Sequence, residues 1–264
     1  MEECYIKLSH NIILIGDNMK KEAVIFLAWG EKYLQEVESC INFSSEIQKY
    51  DIYIITDKDT QVKSNSLKVI RAAFKTNNLL RKTELIDYLP ANYNTYLFLD
   101  SDTRVIGDIS LGFEKADKYD IALSPAPHYS LDCFWGFDNI MKMEGINCKG
   151  QLQYNTGVIF FKKSPVITSI FTRWKYLALK YQDIFTNDQP FLTLALEQLD
   201  INPYTLSISY NYRGFGDAIS GKVRIWHSHE KMPDNINVFK KMWPPRRAYP
   251  GKVIYPDDDT DAPI

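Results

Sequence analysis

The sequence predicts an α/β fold in which a mostly parallel central sheet is flanked by helices. Three observations carry that reading. Short apolar runs recur along the chain, among them Ala23-Val24-Ile25-Phe26-Leu27-Ala28, Ile52-Tyr53-Ile54-Ile55 and Tyr96-Leu97-Phe98-Leu99. They lack polar alternation, as strands buried on both faces do. Helix-period segments fall between them, giving the order β-α-β-β-α-β of a sheet covered on both faces.

Each element has its own signal. Near the start, Asn11 to Asp17 reads as a strand and turn. The first firm strand, Ala23 to Ala28, ends at Trp29-Gly30. Glu31 to Phe43 follows as a helix with Tyr33, Leu34, Val37, Cys40 and Ile41 on one stripe. Strands are predicted at Asp51 to Asp57 and Leu67 to Ile70. A helix over Asn77 to Tyr88 is stopped by Pro90. The strand ending at Asp100 comes next. Ile109 to Ala116 reads as a short helix, Asp120 to Leu123 as a strand, and Asn139 to Gly145 as a helical turn inside a long excursion, Pro125 to Gln153. That excursion is either a substrate lid or a surface insertion. Val158 to Phe161 returns to the sheet. Pro165 to Tyr181 and Gln189 to Leu199 are helices, and Val223 to Trp226 is a late strand ending at His227. We expect one domain over residues 1–243, with its core at about 23–230, and an extended Pro-rich, acidic tail over 244–264.

Composition narrows the function. A hydrophobic fraction of 45% in 264 residues supports a sizeable core. A net charge of −2 argues against non-specific nucleic-acid binding. The sequence has no apolar segment long enough to cross a bilayer, and the acidic start Met1-Glu2-Glu3 does not read as a secretory signal. Cys4, Cys40, Cys133 and Cys148 lack CxxC spacing, so reduced thiols in the cytoplasm are expected.

The chemistry concentrates at strand ends. Asp100-Ser101-Asp102 follows the apolar strand Tyr96 to Leu99, where open α/β sheets bind ligands. In extended chain the two carboxylates point the same way and can share a hard cation such as Mg²⁺ or Mn²⁺. The competing reading is turn chemistry. The chain supplies its own controls, because Asp57-Lys58-Asp59 also follows an apolar run and Asp257-Asp258-Asp259 sits in the tail. Neither GxGxxG nor GxxxxGK[ST] occurs, so a bound nucleotide needs another means of holding phosphate. Asn155-Thr156-Gly157 is either a ligand-facing segment or a turn into a strand. Asn187-Asp188-Gln189-Pro190 opens a helix, with Asp188 as a candidate N-cap. His227 and His229 stand at another strand end, and imidazole suits Mn²⁺. Lys82, beside Arg81, is either a diphosphate contact or an exposed helix charge.

Taken in order, Lys82-Thr83-Glu84-Leu85, Tyr96 to Asp108, Asp120-Ile121-Ala122, Tyr154 to Phe161, Asp188-Gln189-Pro190 and Ile225-Trp226-His227-Ser228-His229 resemble a GT-A (nucleotide-diphospho-sugar transferase) fold glycosyltransferase. The resemblance is to the glycogenin-like enzymes of glycosyltransferase family 8. It implies a nucleotide-sugar donor, often a UDP-sugar, and a Mn²⁺ or Mg²⁺ held by Asp100, Asp102 and His227. His229 is implied to face the diphosphate, or to exchange roles with His227. Ala28, Trp29, Gly30 and Asp57 are implied near base and ribose, Lys82 and Ser101 near the donor, and Asn155, Thr156 and Gly157 beside the donor sugar. Asp188 and Gln189 are the implied catalytic candidates, near sugar and acceptor.

The pattern also departs from the family. A Gly followed by Lys-Pro-Trp usually comes after the metal His, whereas here Ser228-His229-Glu230 follows His227. Lys231 and Arg224 are the candidates for the missing lysine. The expected reaction is glycosyl transfer, with retention, to a hydroxyl of a glycan, lipid or protein. Two alternatives stay open. A nucleotidyltransferase would carry a Gly-rich basic stretch where this chain has Trp29-Gly30-Glu31-Lys32. A catalytically inactive scaffold would not need both Asp residues and the late His.

Overall fold

A computed structural model of the protein describes residues 20–63, 67–147, 149–214, 221–234 and 236–237. The strand expected at Asn11 to Asp17, the tail over 244–264, Cys4 and Cys148 lie outside the described residues. The elements, in chain order, are β1 (Lys20–Leu27), α1 (Gly30–Phe43), β2 (Asp51–Thr56), β3 (Lys68–Arg71), β4 (Tyr93–Leu99), β5 (Thr103–Val105), α2 (Ser110–Tyr119), β6 (Ile121–Ser130), α3 (Asp138–Met143), β7 (Leu152–Lys162), α4 (Pro165–Tyr181), α5 (Gln189–Gln198), β8 (Tyr204–Thr205) and β9 (Ile225–His227).

Seven strands form the central sheet in the order β3-β2-β1-β4-β7-β6-β8. β1 pairs in parallel with both β2 and β4, and β2 with β3. The chain leaves β1 toward β2 and later returns to β1's other edge as β4. Sheet growth therefore reverses between β1 and β4, which opens a crevice at their carboxyl ends.

The apolar runs are continuous because both sheet faces are covered. Val24 and Phe26 of β1 pack with Leu34, Val37 and Cys40 of α1 and with Phe113 of α2. Ala23, Ile25 and Leu27 face the other layer, where Phe171, Trp174 and Leu177 of α4 and Phe191 of α5 are buried. Successive residues from Ala23 to Leu27 thus feed opposite cores, and all five are apolar.

Several sequence expectations are corrected. β7 starts at Leu152, so Asn155-Thr156-Gly157 lies within a strand rather than in a turn before one. β7 is antiparallel to both β4 and β6; a run buried on two faces does not reveal its direction. The excursion after Leu123 is shorter than expected, because β6 runs on to Ser130. Its pairing with β7 shifts register around Pro125, which has no N–H to give the ladder. Residues Asn78–Tyr88 form tight 3-10 turns rather than an α-helix. β9 leaves the main sheet altogether and pairs antiparallel with β5 in a two-stranded ribbon.

Candidate active site

β4 delivers the carboxylate pair. The ladder continues one residue past the strand, with the Asp100 N–H donating to Gly157 O at 2.8 Å. The chain then turns sharply. The Thr103 N–H donates to Asp100 O at 3.2 Å, and the Thr103 hydroxyl donates to the same oxygen at 2.8 Å. Asp100 and Asp102 therefore converge through a turn, not through the extended alternation expected from sequence. The turn feeds β5, whose Thr103 is in register with His227 of β9. The His227 N–H also donates to Tyr212 O at 2.9 Å, so the histidine backbone is fixed from two sides.

The result is a compact donor set. One ligand atom each from Asp100, Asp102 and His227 lie within 4.8 Å of one another, and this is the only such group among the described residues. His227 Nε2 is 3.3 Å from Asp102 Oδ1 and 3.7 Å from Asp100 Oδ2. Two carboxylate oxygens and one imidazole nitrogen fit a divalent cation such as Mn²⁺. Burial alone would raise the Asp102 pKa. The neighbouring His227, and beyond it His229, outweigh burial and hold it well below the ordinary carboxylate range.

Gly157 makes room for this arrangement. A Cβ there would lie 2.7 Å from His227 Nδ1 and 2.8 Å from Nε2. Sequence reasoning placed Gly157 beside the donor sugar; in the structure its backbone packs against the histidine ring.

Lys82 is not the exposed helix charge of the competing reading. Its side chain is 5% exposed, with Nζ 2.9 Å from Asp100 Oδ1 and 3.4 Å from Asp188 Oδ2. Burial disfavours its charge, yet Asp100 and Asp188 outweigh that and raise its pKa. Asp188 begins α5 but makes no side-chain capping bond. Its backbone carbonyl accepts from Trp174 Nε1 at 2.9 Å, which pins the helix start and leaves the carboxylate turned to Lys82. Gln189 Nε2 donates to Gln153 Oε1 at 2.8 Å, so a buried residue of β7 orients it.

A cleft of about 510 Å³ gathers these groups. Trp29, Lys82, Asp100, Ser101, Asp102, Asn155, Thr156, Gly157, Asp188, Gln189, His227 and His229 all line it. Three residues of the sequence-based set do not. Ala28 is buried in the core. The Gly30 N–H donates to Thr60 Oγ1 at 2.7 Å. Asp57 caps its own turn, with Oδ1 accepting from Asp59 N, Thr60 N and the Thr60 hydroxyl. Its Oδ2 lies 3.5 Å from Arg81 Nη1, and the Arg81 guanidinium stacks 4.6 Å from the Trp29 ring. Ser101 donates its hydroxyl to Glu36 at 2.7 Å. His229 is 67% exposed, 3.7 Å from both Glu36 Oε1 and Asp102 Oδ2.

Sequence reasoning missed Asn187 and Arg213, which line the cleft, and Gln153 and Asn211 behind it. Arg224 donates to Asp108 O, and Lys231 pairs with Asp234 on the surface. Neither candidate for the missing lysine lines the cleft, whereas Arg213 does.

A mostly parallel seven-stranded sheet with a carboxylate pair at its switch point is the architecture of a GT-A glycosyltransferase. The solved structures agree on the fold. An active-site mutant of LgtC superposes with a TM-score of 0.58 at 12% identity, covering 79% of this chain and 88% of that one. The galactosyltransferase LgtC in complex with donor and acceptor sugar analogs gives 0.56 at 12% identity, covering 83% and 90%. Mouse xyloside xylosyltransferase 1 gives 0.51 at 15% identity, covering 80% and 98%. A search of curated proteins returns no significant match. The family model for glycosyl transferase family 8 matches residues 5–238, and the chain belongs to that family. It is a glycosyltransferase. No described helix is long and apolar enough to cross a membrane.

Proposed function

We propose that the protein transfers a sugar, with retention, from a nucleotide diphosphate sugar (a UDP-sugar) to a hydroxyl of a glycan, lipid or protein acceptor, using Mn²⁺ or Mg²⁺. The observation that carries this reading is the meeting of Asp100, Asp102 and His227 in one cleft with Lys82, Asp188 and Gln189. The donor set fits the cation, and Asp100, Asp102 and His227 would hold it. Once bound, the cation would neutralise charge on the diphosphate as the nucleoside diphosphate departs.

The chain's own residues do the rest. Trp29, stiffened by Arg81 on its ring, offers a flat face to the base. Asp57 acts on the nucleoside side through Arg81, and Ala28 and Gly30 shape the backbone behind Trp29. Lys82 holds the carboxylates of Asp100 and Asp188 in place and, with Arg213, adds positive charge to the donor side. Ser101, Thr156 and His229 border the diphosphate. Asp188 and Gln189 receive hydroxyls of the donor sugar and orient it toward the acceptor. The Asp188 carboxylate faces Lys82 at 3.4 Å, a placement that suits orientation of the sugar. With retention no protein base is required, because a leaving phosphate oxygen can take the acceptor proton. A cytoplasmic setting fits the free thiols of Cys40 and Cys133.

A thermal-shift panel of UDP, GDP, CDP and their sugars, with and without Mn²⁺, tests the reading. Stabilisation of about 2.7 kcal/mol is expected for the UDP series at a hundredfold excess over Kd, and only with the metal present. Equal responses without metal would contradict it. Product anomers read by NMR then decide retention.

A further inference from the structure

We propose that Asn211, locked by Asn155, fixes His227 with its proton on Nδ1 and its lone pair on Nε2, and so is a positioning residue for the metal-binding histidine. The proposal rests on the metal site described above. Its logic begins from a group whose role is not open to choice. The backbone N–H of Gly157 donates to Asn155 Oδ1 at 2.9 Å. A backbone N–H can only donate, so that atom of Asn155 is the amide oxygen. Asn211 Nδ2 donates to the same oxygen at 2.8 Å. The other end of the Asn211 amide is therefore Oδ1, and it lies 2.7 Å from His227 Nδ1. An amide oxygen only accepts, so Nδ1 must carry hydrogen.

A neutral imidazole holds one proton, which leaves Nε2 bare. Nε2 is the nitrogen that faces Asp102 and Asp100. The relay therefore runs from the backbone of β7 through two amides to the ligand atom. All three side chains are buried, with Asn155 at 6%, Asn211 at 3% and His227 at 4% exposure. Reversing either amide would set like atoms against each other, and reversing Asn155 would also leave the Gly157 N–H without its acceptor, which is costly in a buried site. Partners that fix the free ring nitrogen of a metal-binding His usually support metal affinity by 10–100-fold. Asn155, expected from sequence beside the donor sugar, is thereby assigned a second role behind the metal site.

The first test needs neither metal nor variant. Long-range ¹H–¹⁵N spectra of the histidine-labelled, metal-free chain are recorded as pH rises until His227 is neutral. The wild type should keep Nδ1–H, and Asn211→Leu should change to Nε2–H. A neutral wild-type ring protonated on Nε2 would overturn the proposal. The second test is calorimetry with Mn²⁺ alone. Asn211→Leu and Asn155→Ala should each weaken Mn²⁺ binding about 10–100-fold, and the double variant should fall short of the summed effect because both break one relay. Lower thermal stability with unchanged tautomer and Mn²⁺ affinity would also overturn the proposal, leaving both residues purely structural. If the wild type shows Nδ1–H yet binds no Mn²⁺, the metal reading fails and the relay stands.

Discussion

Replacing Gly157 by alanine puts one methyl group where the structure has the His227 ring. The new Cβ would sit 2.7–2.8 Å from both ring nitrogens. The ring cannot swing away cheaply, because it is 4% exposed and hydrogen-bonded through Nδ1. Overpacking of this kind costs about 1–3 kcal/mol. For a domain of this size that lowers Tm by roughly 2–12 °C. Relief requires moving His227 out of the donor set, so the stabilisation that Mn²⁺ gives the wild type should vanish as well. Gly112→Ala is the matched control. Its Cβ would come 2.7 Å from Phe160 Cδ1 in the core, so Tm should fall while the Mn²⁺ increment persists. Differential scanning calorimetry of the three proteins, with and without Mn²⁺, separates the two effects. A Gly157→Ala protein that keeps its full Mn²⁺ increment would refute the steric argument.

Asp188→Asn should leave UDP affinity within about twofold and lower transfer about 100-fold, because it acts on sugar positioning rather than on the nucleotide; normal turnover would make Asp188 structural only. Asp59→Ala should leave Mn²⁺ affinity unchanged and stability within about 0.5 kcal/mol, since Asp59 is exposed and outside the donor set; loss of Mn²⁺ binding in a titration would show that the wrong carboxylate pair had been chosen. Glu144 is buried by its neighbours, and donation from Lys180, Tyr181 and Gln198 outweighs that burial, taking its pKa from 4.5 to about 2. A depressed carboxylate stabilises the fold above its unfolded pKa and loses that stabilisation as pH falls through its folded one. Glu144→Gln should therefore cost up to about 3 kcal/mol at neutral pH and flatten the decline in stability between about pH 4.5 and 2. Denaturant melts across that window check it, and an unchanged pH profile would count against the depressed pKa.

Much of the fold was legible because the strand runs are apolar on both faces and the helices carry clear stripes. α4 spans Pro165–Tyr181 as expected, and the structure adds that the Ser164 hydroxyl caps it by accepting from the Ile167 N–H. The pieces around Asp100, Asp188 and His227 were legible as residue types at element ends. How they meet was not. The β5–β9 ribbon that carries His227 to Asp102 consists of two three-residue strands, too short for any period to show. Asn211 lies between two tyrosines in an irregular segment, so no pattern marks it. The role of Gly157 depends on a ring 70 positions away in sequence. Asp188 looked like a cap by residue type, yet Trp174 and Lys82, both remote in sequence, decide where its groups point.

Calorimetric titration of UDP into wild type and Asp102→Ala, each with and without Mn²⁺, tests the central claim most directly. The account predicts that wild-type binding requires Mn²⁺ and that Asp102→Ala folds normally but loses the metal-dependent binding. Unchanged Mn²⁺-dependent UDP binding in Asp102→Ala would contradict it.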